Sequence, residues 1–241
     1  LSQVSEEPGW ETLAHETGGW QEAAVLGGYG CAPWGTGGPS QPMLRSQLAR
    51  KEFSLPARPV RARAYVSGLG AYQLYVNGQR VSQDVLTPGW TRFDKRVQYQ
   101  VYDVTAALRS GDNAMGVVLG NGWWHGRIGG ESGQRGRESL RFIVQLQAEL
   151  PDGMAQWINS DLSWRAADSP VLSDCIYDGE TYDARLQQPG WSTPGFDDSK
   201  WRPVSEAAQP VETLVCQAKE TIQPIEWLRP VAITEPEAGV Y

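Results

Sequence analysis

The alternation of short strand-like runs with turn residues constrains the fold of this chain more than any other feature. Runs such as VRARAYVSG, RVQYQVYDV and LRFIVQLQAEL alternate apolar and polar side chains, and a period of two is that of a half-buried strand. Turn residues separate such runs every ~8–12 residues, a spacing typical of sandwiches and barrels. The sequence therefore predicts an all-β fold, an antiparallel β-sandwich of jelly-roll, galactose-binding-like type.

A hairpin and a buried strand can be placed from local motifs. Asn77-Gly78 favours a type I′ turn because both residues tolerate positive φ, so residues 71–76 and 79–83 are expected to pair. Further along, AMGVVLG is apolar without alternation, which predicts a strand that is buried on both faces.

Helical character is confined to two short stretches, TAALR and PGFDDSKW. The first is expected to form one turn, capped by Asp103 or Thr105. In the alternating run before the hairpin, one face of the strand is expected to be buried. The side chains on that face are Val60, Ala62, Ala64 and Val66.

The chain divides into three parts by composition. Residues 1–42 are rich in Gly, Pro and Trp and show little alternation, so they are predicted to be a mostly irregular lead-in. Residues 43–215 are predicted to form the β-sandwich. Residues 216–241 are expected to be a strand or linker that leads to a following domain absent from this sequence.

Charge and hydropathy exclude several functions. The net charge is −7 with scattered Lys and Arg, whereas nucleic-acid binding needs clustered cations. No apolar run approaches the ~18–20 residues that span a bilayer, and the first residues do not resemble a signal peptide. A membrane role is therefore not expected, and the compartment is left open between the cytoplasm and secretion after signal removal.

Residue types that carry catalysis or metal binding are sparse. Cys31, Cys175 and Cys216 are odd in number and far apart, so they are expected to be buried free thiols rather than disulfides or zinc ligands. A catalytic triad would need His15 or His125, and no activated serine motif accompanies either. No cofactor is required by any motif.

Tryptophan is the unusual component, with 11 residues. Indole rings stack on the C–H faces of sugars, whose hydroxyls bind polar groups at the edge. The stretch LGNGWWHGR places Trp123 and Trp124 beside turn residues. If both are extended, they point to opposite faces, and Trp124 is expected to face outward. Trp191 and Trp201 are expected to pack in the core or between domains.

Carboxylates concentrate in SDCIYDGETYDAR, which contains Asp174, Asp178, Glu180 and Asp183. Paired carboxylates could catalyse glycoside hydrolysis, hold Ca²⁺ together with carbonyl oxygens, or accept hydrogen bonds from sugar hydroxyls. Tyr-Asp-Gly-Glu is equally suited to a solvated turn whose acids contact Arg185. The residues alone leave these alternatives open.

Several motifs together resemble the N-terminal region of bacterial α-L-rhamnosidases. They are YVNG-RV, D-L-PGWT, KRVQYQ-YDVT, LGNGW and YDGE-YDAR, in the same order and spacing over roughly residues 43–236. The resemblance implies a β-sandwich that precedes further β-domains and a helical barrel, and the barrel carries the acidic residues of inverting hydrolysis. The glycine-rich stretch 27–38 departs from the family pattern.

The resemblance implies a non-catalytic, carbohydrate-binding-like module that is inactive alone. In some relatives a related module binds L-rhamnose with Ca²⁺, which makes L-rhamnose or a neighbouring sugar the expected ligand. The residues expected at such a sugar site are Asn121, Trp123, Trp124, Arg127, Asp178 and Glu180. Asp178 and Glu180 are the expected ligands of a Ca²⁺ ion. The alternative is a purely structural module that shapes the catalytic domain and binds no sugar.

Overall fold

The computed structural model describes residues 43–125, 139–207, 213–232 and 234, and within these ranges strands are the main regular secondary structure. The strands are β1 (Gln47–Leu55), β2 (Arg61–Leu69), β3 (Ala71–Val76), β4 (Gln79–Arg80), β5 (Val97–Asp103), β6 (Gly111–Gly120), β7 (Arg141–Glu149), β8 (Ala155–Asn159), β9 (Arg165–Asp168), β10 (Val171–Cys175), β11 (Gly179–Tyr182), β12 (Arg202–Pro203) and β13 (Leu214–Cys216). In the described ranges, helical structure is limited to one α-helical turn, α1 (Gly122–His125), and to 3₁₀ turns over Thr105–Ala107 and Ala184–Leu186.

Two sheets form the sandwich, as predicted. One has the order β12-β9-β1-β6-β3-β4 and the other β13-β5-β2-β7-β8, while β10 and β11 form a separate two-stranded ribbon. Neighbouring strands are antiparallel except β13, which runs parallel to β5. The inner faces of the two sheets enclose the core. Its buried side chains include Leu55, Ala64, Val66, Leu74, Met115, Val117, Val144, Leu146 and Trp164.

The outer face of the six-stranded sheet is covered by residues 187–201, which we call the covering segment. Arg50 projects from β1 on this face and is 1% exposed. Its guanidinium donates to the carbonyls of Trp191 at 2.8 Å and Thr193 at 2.9 Å and pairs with Asp198. One buried cation thus fastens an otherwise irregular segment to the sheet.

Residues 214–216 join the five-stranded sheet, and residues 221–223 contact the loop that follows β4. β13 pairs with β5, and Val85 forms an isolated bridge with Ile222. The carboxylate of Asp84 accepts hydrogen bonds from Thr221 and Gln223, both at 2.6 Å. The segment after the predicted boundary at 215 therefore contacts the sandwich through its first residues.

Most local predictions agree with the structure. Asn77 and Gly78 both have positive φ, at 50° and 84°, and connect β3 to β4. Residues 105–107 form a helical turn as predicted, but its N-cap is Val104 without a side-chain cap, rather than Asp103 or Thr105. Asp103 accepts a hydrogen bond from the Thr105 amide at 2.9 Å. The buried strand predicted at AMGVVLG is the second half of β6.

Other predictions were wrong. β4 ends at Arg80 rather than at residue 83, because Arg80 bonds the carbonyl of Asp84 and the chain leaves the sheet. Val60 precedes β2 and is exposed, and Cys216 is exposed at the sheet edge, whereas Cys175 is buried as expected. PGFDDSKW forms turns instead of a helix, and the carbonyl of Phe196 within it accepts a hydrogen bond from Arg50 at 3.5 Å.

The lead-in at residues 1–42 and Cys31 lie outside the described residues. Within the described part of the chain, no helix is both long and apolar enough to cross a membrane.

Candidate functional site

The Gly-Asn-Gly motif ends β6 and fixes the backbone beside a cavity. Asn121 is fully buried, and its backbone amide and Nδ2 donate to the two carboxylate oxygens of Asp174 at 2.7 and 2.8 Å. Its Nδ2 also donates to the Leu44 carbonyl at 2.6 Å, and its Oδ1 accepts from the Leu44 amide at 3.0 Å. Both amide protons of Asn121 are therefore used inside the protein, and the residue lies behind the surface on which it was expected to contact sugar.

Trp124 faces inward, so the expectation that it faces outward was wrong. It is 7% exposed and packs edge-on against Phe93 with 5.4 Å between ring centroids. Leu69 and Val97 complete this small cluster. The prediction failed because residues 122–125 form a helical turn, in which neighbouring side chains do not alternate between opposite faces as they do in a strand.

Trp123 is half-buried and supports another tryptophan. Its indole N–H donates to the Leu86 carbonyl at 3.1 Å, and its ring lies parallel to Trp90, with centroids 5.8 Å apart and 4° between planes. Trp90 is 61% exposed. The aromatic surface open to a ligand here thus belongs to Trp90, which the sequence reasoning missed, although its place in a Thr-Pro-Gly-Trp turn was a signal for exposure.

A cavity of about 720 Å³ opens on the outer face of the six-stranded sheet. Its floor is formed by the exposed sides of β1, β3 and β6, and its walls by the β10–β11 ribbon, residues 85–86 and the start of the covering segment. Residues that line it include Leu48, Gln73, Tyr75, Leu86, Val118, Gly120, Gly122, Asp174, Glu180, Tyr182, Gln187 and Trp191.

The cavity combines an apolar floor with hydrogen-bonding groups at its rim. Gln187 donates to the Tyr182 hydroxyl at 2.6 Å, and the Tyr75 hydroxyl donates to Gln73 at 3.2 Å. Tyr75 also packs edge-on against Trp191, with centroids 5.4 Å apart. These contacts hold the polar side chains in place beside the apolar floor.

The predicted carboxylates are distributed unevenly around this cavity. Asp174 and Glu180 face each other across the β10–β11 ribbon and both line the cavity. Asp178 lies in the exposed turn of the ribbon and is not part of the lining. Among the residues that the structure describes, no three His, Cys, Asp or Glu side chains come close enough to hold a metal ion. Arg127 lies outside the described residues.

A buried phenol cluster supports the cavity from below. Tyr72 lines the cavity and its hydroxyl lies 3.2 Å from that of Tyr102. Burial raises the pKa of Tyr72 far above its usual range, and burial raises the pKa of Tyr102 to about 12. Both phenols therefore stay neutral near pH 7 and act as hydrogen-bonding groups rather than as acids or bases.

Taken together, the strands and this cavity define a β-sandwich module with an open cavity on its outer face. Residues 57–226 match the family of α-L-rhamnosidase N-terminal domains. The chain belongs to that family.

Named relatives are rhamnosidases. The chain is 40% identical over 235 residues to an α-L-rhamnosidase of Streptomyces avermitilis, covering 97% of this chain and 23% of the relative. It is 41% identical over 162 residues to an α-L-rhamnosidase of Formosa agariphila, covering 66% of this chain and 18% of that protein. The chain thus spans less than a quarter of the length of either relative.

A solved structure shows the same architecture. The Streptomyces avermitilis α-L-rhamnosidase, crystallised with L-rhamnose, superposes with a TM-score of 0.76 at 39% identity, over 99% of this chain and 23% of that one. The similarity of sequence and of structure therefore extends beyond the motifs to nearly the whole chain.

Proposed function

We propose that this chain is the non-catalytic N-terminal module of an enzyme that removes terminal α-L-rhamnose from glycosides, and that its outer-face cavity binds L-rhamnose or a neighbouring sugar. The observation that carries this proposal is the cavity itself. Its volume of about 720 Å³ lies within the ~300–1,000 Å³ of small-molecule sites. Membership of the rhamnosidase family supports the choice of sugar.

The lining suits a deoxy sugar. L-Rhamnose carries a methyl group in place of a terminal hydroxymethyl, so one edge of the ring is apolar while the others present hydroxyls. Leu48 and Val118 offer an apolar floor, and Glu180 offers carboxylate oxygens to hydroxyl donors at the rim. The methyl group would lie on the floor and the hydroxyls would face the rim, in keeping with the general design of ligand sites.

The ligands proposed for a Ca²⁺ ion are Asp178 and Glu180. Glu180 lines the cavity and Asp178 does not, so a Ca²⁺ ion bound by both would lie at the ribbon turn and need further oxygen ligands. A Ca²⁺ ion bound there would hold the turn of the ribbon in one position.

Isothermal titration calorimetry of the chain with L-rhamnose, with and without Ca²⁺, tests the proposal. Single modules bind sugars with Kd on the order of 10⁻³–10⁻⁵ M, so the titration must extend to millimolar sugar. Glu180→Gln is expected to weaken binding, whereas Glu149→Gln, on the opposite sheet, is the matched control. Absence of heat under both conditions would show that the module does not bind this sugar.

A second candidate, an interdomain structural role, is favoured by a different observation. After residue 223 the chain presents apolar side chains to solvent, and Trp227 is 84% exposed. The other exposed apolar residues of this stretch are Ile225, Leu228 and Val231. An apolar strip of this kind marks a protein contact.

Hydrogen exchange distinguishes the structural role from sugar binding. The amides of residues 224–232 are expected to exchange fast in this chain and slowly in a chain extended through the next domain, if the strip is covered there. Equal exchange in both chains would count against the interdomain role.

A further inference from the structure

We propose that the binding site extends from the cavity onto the exposed face of Trp90, so that it takes a rhamnoside bearing a second ring rather than a free monosaccharide. The second ring is either another sugar or an aromatic aglycone. This inference rests on the proposed function and adds to it the class of ligand.

Leu86 and Trp123 connect the cavity wall to Trp90. Leu86 lines the cavity, and its carbonyl accepts the hydrogen bond from the indole N–H of Trp123, at 3.1 Å. Trp123 in turn lies flat beneath Trp90. This chain of contacts links the cavity wall at Leu86 to the exposed Trp90 ring.

Trp90 stands on a loop that is held at several points. The amide of Tyr72 donates to the Thr87 carbonyl at 3.1 Å, and the Thr87 hydroxyl donates to the Tyr72 carbonyl at 3.1 Å. Gln100 donates to the Pro88 carbonyl at 3.3 Å. These bonds hold the backbone just before Trp90 in place, which lowers the entropic cost of placing its ring against a ligand.

The other end of the loop is anchored by the second tryptophan of the pair. Phe93 is buried against Trp124, three residues after Trp90. The tandem tryptophans therefore have separate tasks: Trp123 supports the Trp90 ring, and Trp124 binds the end of the loop that carries it. An exposed ring with this much support is a platform rather than a chance exposure of one side chain.

The platform has the chemistry of a ring subsite. An indole face is electron-rich and packs against the C–H face of a sugar or the face of an aromatic ring. One such contact is worth about a threefold to tenfold change in affinity. A free monosaccharide seated in the cavity gains nothing from it.

Calorimetry with three ligands tests this extension. Wild-type chain is titrated with L-rhamnose and with p-nitrophenyl α-L-rhamnoside, and a rhamnose-terminated disaccharide serves as the non-aromatic probe. The two-ring ligands are expected to bind about threefold to tenfold more tightly than L-rhamnose. In Trp90→Ala this gain is expected to disappear while the affinity for L-rhamnose is unchanged.

Trp227→Ala, which removes an exposed indole elsewhere, is the control and is expected to keep the gain. Equal affinities of all ligands for the wild type, or a gain that survives Trp90→Ala, would overturn the extension and leave monosaccharide binding intact. Binding of none of the ligands would overturn both proposals. Circular dichroism of Trp90→Ala verifies that the exposed substitution leaves the fold unchanged.

Discussion

Asn121 donates two hydrogen bonds to Asp174, one from its backbone amide and one from its side chain, at 2.7 and 2.8 Å. The first residue follows β6 on the cavity floor, and the second belongs to β10 in the cavity wall. The pair therefore joins the floor of the proposed site to its wall.

Asp174→Asn is expected to destabilise the protein by about 1.5–3 kcal/mol. Its new amide group would face the two N–H groups of Asn121, and hydrogen bonds to a charged partner are worth about that much. Urea unfolding measures the loss. Asp112→Asn, at an exposed site in β6, is expected to change stability by less than about 0.5 kcal/mol, and a similar loss in both variants would contradict this role of the pair.

Arg50→Met is expected to destabilise by about 3–5 kcal/mol, because it leaves the covering segment without its buried cation and Asp198 without a partner. Denaturant unfolding measures the loss of stability. Limited proteolysis between residues 187 and 201 reports whether the covering segment is released from the sheet. The control is Arg92→Met, which breaks an exposed ion pair with Asp94 and should leave the unfolding midpoint unchanged. Resistance of the covering segment to protease in Arg50→Met would show that it is held by other contacts.

Gly116→Ala tests the packing of Trp191 on β6. A methyl group at Gly116 would lie 2.5 Å from the Trp191 ring and 2.9 Å from the Ser192 Cβ, so an overpacking cost of about 1–3 kcal/mol is expected. In a Trp191→Ala background the cost should fall by about 1 kcal/mol, since the two sites interact. Additive effects of the two substitutions would show that Trp191 moves aside freely.

Acid is expected to loosen residues 221–223. Burial raises the pKa of Asp84, but hydrogen bonds from Thr221, Gln223 and Ser82 outweigh it, so the net pKa lies below the usual 3.8. The folded state therefore binds its proton at lower pH than the unfolded state. The stability contributed by this carboxylate is present above pH 3.8 and is lost as pH falls through the lowered value.

Stability measured against pH in the wild type and in Asp84→Asn checks this expectation. The variant should be less stable at neutral pH, and the difference between the two proteins should shrink as the pH falls below 3.8. A difference in stability between the two proteins that stays constant as the pH falls well below 3.8 would mean that protonation of Asp84 is not coupled to folding.

Local features of the fold were predictable because their causes lie within a few residues. Asn77-Gly78 forms its turn because both positions accept positive φ, and the alternation in β2 follows from burial of Ala62, Ala64 and Val66 on one face. Trp201 is buried and stacks on the half-buried Trp191, with centroids 6.3 Å apart, but the pair lies in the covering segment rather than in the core as expected.

The site was less predictable because it depends on contacts between distant parts of the chain. Asn121 was expected to bind a sugar, but its backbone amide and side chain donate hydrogen bonds to Asp174, which is 53 residues away. Trp90 stacks on Trp123, a contact between distant positions that alternation cannot show. Glu180 lines the cavity on the β10–β11 ribbon, which is a local hairpin. The sugar and calcium roles of these residues stay predictions.

The parallel pairing of β13 with β5 has a consequence for solubility. It places Leu214, Val215 and Cys216 along a strand whose hydrogen-bonding groups would otherwise form a bare edge of the five-stranded sheet. Bare edges recruit strands from other molecules and start aggregation. Residues 214–216 thus cover part of the β5 edge. A fragment that ends before residue 214 would expose this edge, and chains could then associate through it.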